Sequence, residues 1–437
     1  MKSLRLLLRF LTVGGLVLLL LIPLLLIRGL VHDRTQYREQ AVQRVERSMA
    51  GPQRLVGPLR VVPWEATRRV AVAAGEGSPQ LRTETVQGHL LQAPESLQAG
   101  GLLEPDARRI GLFDVRVFQW QAQVHASFAP LELPQVEGRR YGQPYLVLGL
   151  GDVRGLVGTP RLRVDGVELA LQPGAAALAP RLDGMHAPLP GGQALGALDM
   201  DLGMVLAGTR SLGVVPVADH NRIQLQSGWP HPLFSGQFLP SQRQLGRDGF
   251  RAGWDITSLA SSAQAQLLGG EAVAAADLDS VEVSLVDPVD VYKQADRASK
   301  YAILFVVLTF VVFGLFELVK QLRIHPVQYL LVGLALAVFF LLLLGLSEHI
   351  AFWQAYLASA LACIGLQFVY LSGVLRSAWR AAGFAAMLTV LYGALYSLLV
   401  AEDNALLLGS LLLFAVLAGA MWVTRRIDWY QRAEQLG

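Results

Sequence analysis

The distribution of apolar residues divides the chain into two regimes. Beyond Tyr301, an apolar run to Val319 is followed by four uncharged stretches, Pro326–Ser347, Ile350–Leu375, Ala381–Ala401 and Asn404–Thr424. At about 1.5 Å rise per residue, each is long enough to cross a hydrocarbon core about 30 Å thick. A helix of a globular protein keeps one face polar for water, and none of these stretches carries a charged face. A further run, Phe10–Ile27, lies near the amino end between Arg9 and Arg28. The pattern predicts a polytopic α-helical membrane protein with six transmembrane helices.

Between the first and second runs the period changes. Thr35–Met49 spaces Tyr37, Ala41, Val45 and Met49 by four, which predicts a helix with one apolar stripe, and Gly51-Pro52 ends it. Such a helix suits a stalk lying against a soluble domain. From Leu55 onward, short runs read as strands separated by Gly, Pro and polar residues: Arg60–Val62, Arg69–Ala73, Phe113–Val124, Tyr145–Gly149, Leu198–Val205, Arg222–Gln226 and Val281–Leu285. Asp165-Gly166 between Leu162-Arg163-Val164 and Val167-Glu168-Leu169 is a hairpin signal. Ser258–Asp277 holds a short helix. The stretch Leu171–Gly192, rich in Gly, Ala and Pro, reads as a seam between two sandwich-like units or as one long surface loop. Val291–Lys300 runs without a breaker into the helix that begins at Tyr301.

Charge fixes the expected orientation. With the amino end inside, the short cytoplasmic segments hold Lys2, Arg5, Arg9, Lys320, Arg323, Arg376, Arg380, Arg425, Arg426 and Arg432. The two short outer loops hold Glu348 with His349, and Glu402 with Asp403, and no Lys or Arg. This is the positive-inside pattern. No small-x-small cleavage site lies just beyond Ile27, the nearest candidate being Ser48-Met49-Ala50 within the expected helix, so the first run reads as an uncleaved anchor. The expected organisation is a cytoplasmic tip and first helix (1–30), a large β-rich extracytoplasmic domain inserted between helices one and two (31–298), a five-helix bundle (299–424) and a cytoplasmic tail (425–437).

Composition narrows the chemistry. A content of 53% hydrophobic and 16% charged residues fits a membrane bundle joined to a soluble domain, and a net charge of +3 without a basic tract gives no expectation of nucleic acid. The one cysteine, Cys363, lies inside an apolar stretch, so the β-rich region holds together without disulfides. None of the eight histidines stands in His-Glu-x-x-His spacing, and no Gly-x-Ser-x-Gly elbow occurs. Asp199 and Asp201 share one face of a strand, which in most strands is a solvated face. No catalytic set, metal or cofactor is expected. A hydrolase would need a deep pocket bringing a nucleophile or acid to His220 or His231.

Two outer segments have distinctive chemistry. In Gly149-Leu150-Gly151-Asp152-Val153-Arg154-Gly155 the glycines suit tight turns and Asp152 is placed to pair with Arg154; the spacing is not that of a nucleotide loop. Ser227–Pro240 combines Trp229, Pro230, His231, Phe234 and Phe238 with two further prolines, and reads either as a rigid loop over the core or, with Trp254, as a partner surface. In the helices, the ionisable and polar groups gather at membrane edges: Glu317 within reach of Lys320, then His325, Glu348 and His349. A transport pathway would need a polar cavity lined by Gln367, Tyr370, Tyr392 and Tyr396.

Several motifs together resemble the inner-membrane protein CreD family. They are Gly51-Pro52-Gln53-Arg54-Leu55-Val56-Gly57-Pro58, Gly151-Asp152-Val153-Arg154-Gly155, Gly228-Trp229-Pro230-His231-Pro232 with Phe238-Leu239-Pro240, and Asp296-Arg297-Ala298 before Lys300-Tyr301-Ala302. The bundle adds His325-Pro326-Val327-Gln328-Tyr329, Leu346-Ser347-Glu348-His349 and Asp428-Trp429-Tyr430. The resemblance spans nearly the whole chain. It implies an inner-membrane location and an accessory role in cell-envelope integrity and envelope stress response, without a catalytic set. The expected partners are membrane lipids and an envelope protein, glycan or lipid bound by the outer domain.

Overall fold

The computed structural model describes residues 2–72, 80–176, 183–191, 194–269, 277–285, 291–320, 325–401 and 404–425. Arg323, Glu402, Asp403, Arg426, Asp428, Trp429, Tyr430 and Arg432 lie outside the described residues, as do the side chains of Lys2, Arg5, Arg9 and Lys320. The chain forms two compact units, Gln40–Pro288 and Met1–Glu39 with Val289–Gly437. One helix, α1 (Lys2–Ser48), contributes its first part to the latter and its last turns to the former.

The first unit, Gln40–Pro288, is built from strands. They are β1 (Gln53–Val72), β2 (Gln80–Gln92), β3 (Ser96–Ile110), β4 (Phe113–Phe128), β5 (Arg139–Tyr141), β6 (Tyr145–Leu150), β7 (Leu156–Val164), β8 (Val167–Leu169) and β9 (Gln172–Pro173). After them come β10 (Asp183–Pro188), β11 (Leu198–Thr209), β12 (Ser211–Val214), β13 (His220–Ser227), β14 (Pro232–Gly236), β15 (Gln242–Gly246) and β16 (Gly249–Thr257). A short helix α2 (Ala263–Leu268) precedes β17 (Val281–Leu285). Two sheets result. The first has the order β14-β17-β12-β1-β6-β10-β9, with β2 and β5 also on β1; the second runs β15-β16-β13-β3-β4-β11-β7-β8.

Alternation along the strands explains the layering. β13 and most of β11 read buried at every second residue and give the second sheet one apolar face, against which the first sheet sets strands such as β6 that are buried throughout. The two sheets meet in a single cluster that includes Leu55, Val61 and Leu148 of the first sheet and Leu97, Trp120 and Leu206 of the second. The expectation of two sandwich-like units is corrected here. β1 pairs in parallel with β12, and β3 in parallel with β13, so strands from both sides of the Leu171–Gly192 stretch share each sheet. That stretch supplies β9 and β10 to the first sheet; its residues 177–182 and 192 lie outside the described residues. Of the Arg69–Ala73 run, residues 69–72 are the far end of β1, paired along β2, rather than a separate strand, and Ala73 lies outside the described residues.

Local turn chemistry holds where it was strongest. Asp165 and Gly166 take φ values of 49 and 81, the left-handed pair that a two-residue hairpin requires, and join β7 to β8. The proline-rich segment forms an edge strand, β14, where a residue without an N–H costs no ladder bond. Of the stripe on α1, Ala41 and Val45 pack against Val115 and Val117 of β4 with Met49 half-buried beside them, while Tyr37 is exposed.

The second unit is helical: α3 (Val291–Lys320), α4 (Pro326–Ser347), α5 (Phe352–Val374), α6 (Ala378–Val400) and α7 (Ala405–Thr424) accompany the first part of α1. The approach at Val291–Lys300 is continuous with the apolar helix that follows. Six spans among the described residues are long and apolar enough to cross a membrane: Gly14–Ser48, Tyr292–Leu315, Pro326–Ser347, Phe352–Val374, Ala378–Val400 and Ala405–Trp422. Leu20 and Leu24 of α1 join Phe305, Phe313, Phe339 and Tyr392 in the bundle core. α4 begins in a capping box, with His325 Nδ1 accepting from the Val327 N–H and Gln328 Oε1 accepting from the His325 N–H.

Candidate functional site

The densest polar arrangement in the strand-built unit gathers at the end of α1. The last carbonyls of a helix have no partner within it, and the helix dipole makes that end negative. Arg154 answers both. Its Nη1 donates to the carbonyl of Arg47 (2.8 Å) and its Nη2 to that of Glu46 (3.2 Å). Asp152 holds the guanidinium in place, accepting from Nε at 2.9 Å and from Nη2 at 2.6 Å. The same carboxylate accepts from the Arg154 N–H (3.0 Å), capping a single 3-10 turn, and from the Gly51 N–H (3.1 Å) beyond the helix end.

Buried amide and hydroxyl groups extend this clamp inward. Gln53 donates to the carbonyls of Asp152 (3.0 Å) and Ala207 (2.8 Å) and accepts from the Asp152 N–H (3.2 Å). Thr209 donates through Oγ1 to the Ala50 carbonyl (3.1 Å), and Arg210 forms an ion pair with Glu46. The motif's glycines are steric necessities. A Cβ on Gly155 would lie 2.2 Å from both the Ala207 oxygen and Gln53 Nε2, and one on Gly151 would lie 2.8 Å from backbone atoms of Pro52 and Arg54.

The electrostatics follow from this geometry. Burial pushes the Asp152 carboxyl up, but hydrogen bonds from the Arg154 side chain and the Gly51 and Arg154 N–H groups outweigh it and leave the group below its ordinary value. Hydrogen bonding to Asp152 in turn raises Arg154. The Thr209 hydroxyl and the Asp152 carboxylate are both committed to hydrogen bonds within the arrangement. Its chemistry is that of an anchor for the helix end.

The aromatic segment packs inward. Trp229, Phe234 and Phe238 lie against the core cluster, and Trp254 is 2% exposed. Phe234 meets Phe250 and Trp254 edge to face at 5.7 and 5.9 Å, and Trp254 Nε1 donates to the Phe238 carbonyl at 3.1 Å. Arg116 stacks on Trp229 at 4.1 Å. Pro230 is half-buried, and His231 is the exposed member, edge-on to Trp229 at 6.2 Å. His220 lies by a separate cleft of about 320 Å³ with Asp255, which Arg222 engages at 3.0 Å. The structure does not bring the two histidines to one pocket.

In the helical unit, Glu317 accepts from the Tyr329 hydroxyl at 2.6 Å. Its expected partner Lys320 has its side chain outside the described residues. Glu348 pairs with Arg34 of α1 at 3.3 Å, its side chain only 7% exposed, while His349 is exposed. Tyr392 packs edge to face with Phe305 and Phe339 at 4.8 and 4.7 Å, and Tyr396 packs against Tyr356 at 5.0 Å. These two tyrosines thus belong to an aromatic core rather than to the wall of a polar cavity. Gln367 is buried, with neither amide atom hydrogen-bonded among the described residues.

Sequence reasoning missed Arg60. It is fully buried at 0% exposure, donating to the carbonyls of Ala129 (3.3 Å) and Gly196 (2.9 Å) beneath the Phe128 ring. Burial lowers it to about 10, with Asp165 acting in the opposite sense. The signal in the sequence was its apolar neighbours Leu59, Val61 and Val62, and the structure buries that run on both faces.

Comparison with known proteins follows the same outline. The sequence profile of the family described as inner membrane protein CreD matches residues 5–430. The "Inner membrane protein CreD" of Escherichia coli (strain K12) is 36% identical over 419 residues, covering 95% of this chain and 92% of that protein. Among solved structures, an M1 zinc metallopeptidase from Deinococcus radiodurans aligns at a TM-score of 0.22 and 10% identity, covering 44% of this chain and 41% of that one, too little to bear on fold or activity. The six membrane-length helices, the large strand-built unit and a family match over nearly the whole length agree: the chain belongs to the CreD family of inner-membrane proteins.

Proposed function

We propose that the protein is an accessory component of envelope integrity and envelope stress response, whose β-rich domain (31–298) lies between the first two crossings on the periplasmic side and binds an envelope partner, with both termini in the cytoplasm. The family match over residues 5–430 carries this reading. The charge asymmetry of the short loops supports the orientation. The two distinctive outer motifs are structural, since Asp152 and Arg154 anchor a helix end and Trp229, Phe234 and Trp254 pack inward, so a partner would be met on another face of the domain. Photo-crosslinking in intact cells, from several exposed positions on the outer domain, tests the reading. It predicts a discrete adduct; lipid and bulk solvent alone at every position would end it.

Transport is the second reading, and Gln367 is the observation that favours it, a buried amide inside the bundle with no hydrogen bond among the described residues. Replacing it with Leu should then abolish tolerance to an envelope-active compound without lowering the amount of folded protein. Unchanged tolerance removes this alternative.

A further inference from the structure

The outward face of the second sheet is polar and rich in arginine and glutamine. Leu97, Val124, Leu202 and Ile223 point into the core, so the residues between them point out. Pairing registers align these outward residues in rows across five strands. One row reads Gln224, Gly100, Gln123, Gly203, Arg161; the next reads Arg222, Gln98, His125, Asp201, Arg163. Together with Arg251 and Gln226 they line a groove of about 800 Å³, within the range that small-ligand sites occupy.

We propose that this groove binds an anionic saccharide, a short sugar chain carrying carboxylate or phosphate groups; the proposal deepens the partner-binding reading above and rests on it. Charge is the first argument. Four arginines line the groove against one carboxylate, Asp201, which already accepts from His125 Nδ1 at 2.9 Å. The arginines stand in two banks, Arg222 and Arg251 on β13 and β16, Arg161 and Arg163 on β7. Four inter-strand spacings put β13 and β7 about 19 Å apart, enough to span several sugar units. Arg222 is engaged by Asp255, whereas Arg161 and Arg163 have no ion pair among the described residues. Free guanidinium forks match carboxylate and phosphate oxygens two bonds at a time.

The floor is the second argument. Glycine is disfavoured inside a strand, and where it occurs it often marks a bulge or the close approach of another backbone or a ligand. Gly100 is explained by its neighbour, since a Cβ there would meet the Gln224 carbonyl at 2.8 Å. Gly203 borders the bulge at which the β11–β7 register shifts, between Gly203 and Val205, and no neighbour crowds it. Its φ is not left-handed, and a Cβ there would meet nothing within 4 Å. The missing side chain leaves the middle of the groove low and open, between Gln123 and Arg161.

The third argument concerns the ligand's other groups. Glutamine amides both donate and accept, as vicinal hydroxyls require. Among the described residues the groove is lined by no Phe, Tyr or Trp, and its apolar side chains face the core. Acyl chains and the aromatic anchors of a protein partner would therefore find nothing to pack against.

The test titrates the full-length protein in nanodiscs with tetragalacturonate and with a phosphate-bearing maltotetraose, against neutral maltotetraose and tetraglutamate. At least one acidic sugar should bind ten-fold or more tightly than both controls, and the better one identifies the acidic group. Arg161→Gln combined with Arg163→Gln, and separately Gly203→Leu, should each weaken that binding at least ten-fold, while Arg140→Gln on the first sheet leaves it unchanged. The arginine pair is exposed, so it reports even if Gly203→Leu fails to fold. Failure of every acidic sugar to bind, equal binding of the peptide or the neutral sugar, or wild-type affinity in the arginine variant overturns the proposal. Cells separate it from the broader reading. If wild-type protein restores tolerance to an envelope-active agent and the arginine variant does so equally, the saccharide site is wrong and the envelope role stands; if wild type restores nothing, the envelope role fails whatever the groove binds.

Discussion

Asp152 and Arg154 stand two positions apart, and that spacing is enough to predict that they pair. The sequence does not reveal what the pair is for, because the carbonyls that Arg154 reaches belong to Glu46 and Arg47, 107 or more positions earlier. The consequence is specific. Gly155→Ala forces a methyl group into the space of the Ala207 carbonyl and Gln53, and should lower stability by about 1–3 kcal/mol in thermal or denaturant unfolding. An unchanged midpoint would show that the clamp yields freely. Asp152 also adds a pH signature. Its folded value lies below the unfolded one, so ionised Asp152 favours the fold; this contribution is complete above about pH 4 and disappears as acid protonates the folded state. The stability difference between wild type and Asp152→Asn should therefore be level from about pH 5 to 8 and shrink below about pH 4. Unfolding midpoints across that range check it.

At the scale of elements, α1 is a membrane-length helix whose last turns become part of a β domain. Ala41 and Val45 face Val115 and Val117, while Arg44 faces water. Val45→Asp would place an unpaired charge in that contact and should cost several kcal/mol, about what unpartnered burial of a charged group demands after relaxation. Arg44→Asp, one residue away, should stay within about 0.5 kcal/mol. Equal behaviour of the two variants in thermal unfolding would dissolve the contact. The elements also show which features were legible in advance. The apolar runs announced the helices, and Asp165-Gly166 announced its hairpin, because both signals are local. The parallel pairings of β1 with β12 and of β3 with β13 join segments far apart in sequence, and no local pattern encodes them. The saccharide groove has the same character. Gln98-x-Gly100, Arg161-x-Arg163 and Arg222-x-Gln224 are visible as alternations, but only the register sets them side by side.

At the scale of the whole molecule, family and helices give a multi-pass inner-membrane protein with a large strand-built unit, and the charge pattern underlies our proposal that this unit lies outside the cytoplasm. Everything proposed about partners depends on the side of the membrane that this domain occupies. Single-cysteine labelling reads that directly, after Cys363→Ala removes the buried native thiol. With a membrane-impermeant maleimide on intact cells, Asp165→Cys in the β7–β8 hairpin should be labelled at once, and Arg376→Cys, between α5 and α6, only after permeabilisation. Labelling of Arg376→Cys in intact cells, with Asp165→Cys protected, would contradict the account.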